Sequence, residues 1–185
     1  MARNLKADLL SDKIIKILKK FMIFRDLSDG EIRELLAMDT AYDSKIAKLC
    51  QYDPGETVIR EGEFDCWTFW VVKGAFEVVQ NDETLIVFSK PGQIFGEMSV
   101  LEGLPRTATV ISKSPGVCLC IDMSVTERIR NHRIRETITE GFYKVILDRL
   151  GRTKGMMMAE KKRIENKYAD LVDFEDRIRK RSKKK

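Results

Sequence analysis

Glu97 and Arg106 are the two side chains of this 185-residue chain whose types and spacing best suit chemistry on a small ligand. An ionised carboxylate can only accept hydrogen bonds, which suits sugar hydroxyls. A guanidinium presents a planar fork of donors matched to phosphate oxygens. Gly96, just before the acid, lets the backbone come close to a ligand, and the helical turn that follows aims free N–H groups at an anion. Acid and guanidinium together describe a ligand that carries both a ribose and a phosphate. The competing reading is a structural ion pair between them, since a buried charge needs a partner.

The elements that must position this pair lie between Gln51 and Ile121. Strand candidates are Thr57 to Arg60, Thr68 to Val72, Ala75 to Gln80, Thr84 to Ser89, Ala108 to Ser112 and Val117 to Ile121. They are separated by turn signals such as Asp53-Pro54-Gly55, Glu61-Gly62-Glu63, Lys73-Gly74, Asn81-Asp82, Pro91-Gly92 and Ser114-Pro115-Gly116. Many short strands with Gly/Pro turns predict a closed antiparallel barrel or sandwich, interrupted by one helix at Glu97 to Leu101. Residues 3 to about 49 read as helical. Ile14, Ile15, Ile17, Leu18 and Phe21 make one apolar face, and Ser28 with Glu31 three residues on reads as a helix start. After Asp122 the chain returns to helix. The expected organisation is a helical segment at 1–49, a β-domain at 50–122 and C-terminal helices at 123–185.

Composition narrows the classes of function. Apolar residues make up 43% and charged residues 34%, with no run of about 18 apolar residues that would span a membrane. The N-terminus lacks the pattern of a signal peptide, so a cytoplasmic protein with reduced thiols is expected. Cys118-Leu119-Cys120 could be read as a metal pair. In an alternating strand the two thiols instead share one face as small core residues. The single histidine, His132, sits in a charged helical stretch, which argues against a His-ligated metal site. Catalysis by Glu97 would need a second positioned group, and Arg106 cannot exchange a proton. No enzyme is therefore expected, and no metal.

The run from Phe95 to Thr109 resembles the phosphate-binding cassette of cyclic nucleotide-binding domains, F-G-E-x-[SA]-x-L-x-x-x-P-R-[STA]-A-[ST], at every fixed position. Pro54-Gly55-Glu56 through Gly62-Glu63, and Lys73-Gly74-Ala75-Phe76-Glu77-Val78, resemble early strands and glycine turns of the same family. The likeness covers about residues 45 to 150. It implies a mainly β, α+β fold: an eight-stranded antiparallel β-roll of jelly-roll type, with the cassette as its internal helix, flanked by N- and C-terminal helices. It also implies a ligand site made of Phe95, Gly96, Glu97, Met98, Ser99, Arg106, Thr107 and Ala108. Glu97 would meet the ribose, Arg106 the cyclic phosphate, and Thr107 would add a hydroxyl. Ala108 would stay small so that the phosphate can sit near the strand, and Met98 would serve packing.

Beyond the β-domain, Tyr143, Leu150, Met157, Ile164, Leu171 and Ile178 recur every seven residues, with a mixed second seam. One apolar seam predicts a weak coiled coil and a homodimer through about Tyr143 to Leu171. Arg149-Leu150-Gly151-Arg152-Thr153 resembles the part of the bacterial catabolite activator's dimer helix where a threonine touches adenine. That adds Thr153 as a candidate base contact and favours cyclic AMP over cyclic GMP. The 161–185 region is rich in Lys and Arg, read as a solvated helix face with non-specific nucleic-acid contact as the rival. No helix-turn-helix fits after Leu171, so specific DNA binding is not expected. The resulting expectation is a cyclic nucleotide sensor acting on an unknown protein effector. The alternatives are a truncated or DNA-associating regulator of the catabolite activator type and a degenerate domain that binds no nucleotide.

Overall fold

Short apolar segments separated by tight turns pair here because an extended strand cannot satisfy its own backbone N–H and C=O groups. The computed structural model describes residues 3–4, 10–38 and 46–182. It falls into two compact units, Met1–Lys144 and Val145–Lys185. In the first unit, strands β1 (Arg3–Asn4), β2 (Ala47–Tyr52), β4 (Trp67–Lys73), β7 (Ile94–Phe95) and β9 (Gly116–Asp122) form a sheet in the order β1-β2-β9-β4-β7. Strands β3 (Thr57–Ile59), β5 (Phe76–Gln80), β6 (Glu83–Phe88) and β8 (Thr109–Ser112) form a second, ordered β3-β8-β5-β6. Pairings within both sheets are antiparallel. The eight strands β2 to β9 make the expected β-roll, and β1 extends its edge along β2.

Helices α1 (Asp12–Leu18) and α2 (Asp29–Ala37) flank the roll on its N-terminal side, with a 3-10 turn at Met22–Phe24 between them. Ser28 caps α2 as the spacing predicts: its hydroxyl accepts from the Glu31 N–H at 3.2 Å, and the Glu31 carboxylate accepts from the Ser28 N–H at 2.7 Å. These bonds, with the nearby Arg133, hold the Glu31 carboxyl below its ordinary range. Helix α3 (Glu97–Glu102) is the cassette helix. A 3-10 turn at Met123–Arg128 then leads into the long helix α4 (His132–Ser182).

Two expectations for the N-terminal region need correction. Arg3–Asn4 is strand rather than helix, and the helical reading that ran to about residue 49 gives way at Ala47, where β2 begins. In both places pairing with a distant strand sets the backbone: β1 lies on β2, and β2 runs along the whole of β9. Helix propensity of a few tenths of a kcal/mol per residue yields to such pairing.

Alternation along β2, β4 and β9 sends residues to opposite sides of the first sheet. Inside the roll, Phe69, Phe76, Phe88 and Phe95 pack together, with Phe69 and Phe95 stacked at 5.2 Å between ring centroids. Trp70 takes the opposite parity and meets Phe142 of α4 at 6.3 Å. Ile134, Ile138 and Phe142 are the buried face of α4 in this unit. No helix among the described residues is long and apolar enough to cross a membrane.

Candidate functional site

The cassette begins where β7 runs out. Gly96 has φ 77°, a left-handed conformation that costs a residue with a Cβ about 1 kcal/mol or more. A Cβ there would also lie 2.8 Å from Ile59 Cδ1 and 2.9 Å from Arg106 Nη1. The glycine thus turns the chain into α3 and leaves room for the guanidinium. Glu97, the first residue of α3, is 2% exposed, and Ser99 is buried as well. The helix closes after six residues at Gly103, whose N–H donates to the Ser99 carbonyl, as does that of Leu104 at 3.1 Å. Pro105 then leads to Arg106.

Arg106 is 3% exposed, so its charge must be met by the protein around it. The backbone first fixes its place: its N–H donates to the Glu63 carbonyl at 2.8 Å, and its own carbonyl accepts from the Gly62 N–H at 2.9 Å. The side chain then uses its whole fork. Nε donates to Asp65 Oδ2 at 3.1 Å and Nη2 to Asp65 Oδ1, a two-pronged carboxylate pair. Nη2 also donates to the Trp67 carbonyl at 2.5 Å. Nη1 donates to the Gly96 carbonyl at 2.5 Å and to Ser99 Oγ at 2.8 Å. The Phe69 ring lies 5.9 Å from the guanidinium carbon. These acceptors match the five N–H groups of the fork, so its position is set by two separate stretches of chain, 65–67 and 96–99.

Asp65 is the residue that sequence reasoning missed. It stands 41 positions before Arg106, in the loop after Gly62, and no motif announces it. The same carboxylate accepts from the Trp67 N–H at 2.8 Å, which ties the loop to the start of β4. A carboxylate just past a glycine turn, in a chain that buries an arginine, is the only signal for it in the sequence.

The other expected residues fall as follows. Phe95 is buried in the roll and stacks on Phe69. Thr107 is exposed and its carbonyl accepts from Gln80 Nε2 at 2.8 Å, while Ala108 is half-buried. The Ser99 hydroxyl accepts from Arg106. Met98 corrects an expectation. It is 46% exposed, so packing does not explain it. Its neighbours Leu101 and Leu104 are exposed too, which gives the cassette an apolar outer face. Thr153 belongs to the second unit, where its hydroxyl donates to the Arg149 carbonyl at 3.0 Å. His132 is exposed and meets Glu136 at 3.2 Å. Cys118 and Cys120 face the same side, into the roll, as alternation requires.

Comparisons with known proteins fall on the same region of the chain. The family model for the cyclic nucleotide-binding domain matches residues 49–133. The chain is similar to the cAMP-dependent protein kinase type II regulatory subunit of Drosophila melanogaster, 28% identical over 67% of this chain and 30% of that protein. It is also similar to a cGMP-dependent protein kinase of Plasmodium berghei, 31% identical over 66% of this chain and 13% of that protein. The chain thus spans less than a third of the length of either relative. Among solved structures, a cyclic nucleotide-binding domain from Methylobacillus flagellatus superimposes with a TM-score of 0.68, covering 86% of this chain and 89% of that one at 17% identity. Residues 49–133, which hold most of the β-roll and the whole cassette, thus match the cyclic nucleotide-binding domain family in sequence, and the roll shares the fold of that solved domain.

Proposed function

We propose that this chain binds a cyclic nucleotide at the Gly96–Ala108 cassette, with cyclic AMP preferred to cyclic GMP, and that its role is regulatory rather than catalytic. The buried Arg106 carries this reading. A guanidinium at the mouth of a left-handed turn, held rigid by Asp65 and Ser99, is pre-organised for a single phosphate. Glu97, buried at the start of α3, suits the ribose hydroxyl. The phosphate takes up donors of the fork that the Gly96 carbonyl and Ser99 hydroxyl now accept, while Asp65 keeps the other edge in place.

The signal travels through β4. Phe69 faces the guanidinium, and Trp70, next in sequence, faces Phe142 of α4. A shift at the cassette therefore reaches the first turns of α4 across one strand, and whatever partner reads α4 responds. Tyr143, Leu150, Met157 and Ile164 are all exposed along one seam, which supports a homodimer through that helix.

Calorimetry with cyclic AMP, cyclic GMP and AMP tests the binding. At a hundredfold excess over Kd, a ligand of the folded state adds about 2.7 kcal/mol of stability. Arg106→Ala and Glu97→Ala should remove that gain, and no gain from either cyclic ligand would sink the reading. Thr153→Ala should narrow the preference for cyclic AMP if Thr153 meets the base. Sedimentation of the chain cut after Leu150 tests the dimer: a mass that follows the intact chain's stoichiometry counts against the helix.

A further inference from the structure

Three thiols stand together on the inner wall of the roll, and the ligand reading uses none of them. Cys50 on β2 is the direct cross-strand partner of Cys118 on β9. Both side chains point into the roll and both are buried, Cys50 keeping a small solvent contact at 4%. Directly opposed residues of an antiparallel pair have Cα atoms about 4.5–5.5 Å apart, within the roughly 4.4–6.8 Å that a disulfide spans. Cys120 is two residues further on the same face. Its offset from Cys50 is a diagonal one, about 7–8 Å between Cα atoms, too long to bridge without backbone movement.

The groups facing Cys50 distinguish it from an inert core cysteine. From β9 come Cys118 and Cys120, and from β2 itself Lys48 and Tyr52. Tyr52 Oη lies 4.0 Å from Cys120 Sγ, and Lys48 Nζ sits 4.0 Å over the Trp67 ring of β4. A hydrogen bond from Cys120, assisted by the Lys48 charge and Tyr52, outweighs burial and brings the Cys50 thiol down to about 7. Burial pushes Cys118 and Cys120 up, so those two keep their protons. A thiol held below its ordinary range, a second thiol directly opposite it and a donor alongside is the division of labour that an oxidation site needs.

We propose that Cys50 and Cys118 form a reversible oxidation site, closed to a cross-strand disulfide by a hydroperoxide. The Cys50 sulfur attacks one peroxide oxygen and the O–O bond breaks. The leaving oxygen takes up a proton, and Cys50 becomes a sulfenic acid. The Cys118 sulfur then attacks the Cys50 sulfur, the S–O bond breaks, and water leaves with the Cys118 proton. Two thiols lose two electrons and two protons, and hydrogen peroxide gains them as two waters. Cys120 takes no part in the bond; it polarises Cys50. The site lies close to the cassette. Phe69, the β4 partner of Cys120, stacks on Phe95 and faces Arg106, so tightening β2 against β9 alters the wall behind the guanidinium. The oxidation itself stands apart from the ligand reading.

The test uses the intact chain, reduced, pulsed with hydrogen peroxide at neutral pH under native conditions, alkylated, and digested without reductant. Mass spectrometry should find Cys50 linked to Cys118, assigned by fragmentation because Cys118 and Cys120 share a tryptic peptide, and a dithiol should reverse the link. Cys50→Ser and Cys118→Ser should abolish it. Cys120→Ser should keep it but slow it about tenfold, as Cys50 loses thiolate. The unaltered protein alone overturns the proposal if Cys66 is its only oxidised thiol, if Cys50 is found linked to Cys120, or if the link forms only in denaturant.

Discussion

Helix α4 contains two stretches in which the same residue types meet opposite surroundings. In its first turns Ile134, Ile138 and Phe142 are buried, and Gly141 lies so close to the 3-10 turn that a Cβ would stand 2.8 Å from Ile23 Cα. From Val145 on, Leu147, Leu150, Met156 and Met157 are exposed, and a Cβ on Gly151 or Gly155 would meet nothing within 4 Å. Arginines divide in the same way. Arg106 is enclosed in the roll with a carboxylate and three further acceptors, whereas Arg152 meets Asp148 at 2.7 Å with 74% of its side chain exposed. Residue type thus sets what an interaction could be, and burial sets what it contributes.

Substitutions at these four positions should separate the two regimes. Arg106→Ala should have the largest effect, about 3 kcal/mol in urea unfolding, because it strips Asp65, Ser99 and two carbonyls of their donors at once. Arg106→Lys should recover only a minor part, since a point charge cannot satisfy the fork. Next comes Gly141→Ala, with a loss of about 1–3 kcal/mol, because the obstruction is the backbone of Ile23 and cannot rotate away. Gly151→Ala should reverse the sign, adding about 1 kcal/mol through helix propensity and raising the helical signal in circular dichroism. A loss there would instead reveal a neighbour packed on Gly151, as in a close helix dimer. Arg152→Ala should change stability least, within about 0.5 kcal/mol, and a change that vanishes in high salt would mark it as a surface pair.

The cassette was legible because its working residues are contiguous. Phe95 to Thr109 holds a turn glycine, an acid, a small polar residue and an arginine within one loop, so local pattern carried them all. Ser28 and Glu31 were legible for the same reason, since a capping box closes within one helical turn. Ile94–Phe95 was not: two residues carry no period, and only pairing with Phe69 and Trp70 makes them a strand. Ala47–Leu49 and Arg3–Asn4 followed their partners in the sheet against a helical reading.

By itself the sequence determined a domain of short antiparallel strands and the position of its internal helix, since turn glycines and alternation act over short distances; the β-roll, and the acid and arginine of the candidate site, came with the contiguous motif and the family it resembles. Tertiary structure alone decided what Arg106 binds. Its carboxylate partner, Asp65, lies 41 residues away, and only the pairing of Arg106 with Glu63 and Gly62 brings the two together. The same holds for the thiols. Cys50 and Cys118 are unremarkable in the chain and become opposed only through the β2–β9 register. Electrostatic and covalent chemistry depend on distances of a few ångströms, and closing a long loop is what creates them.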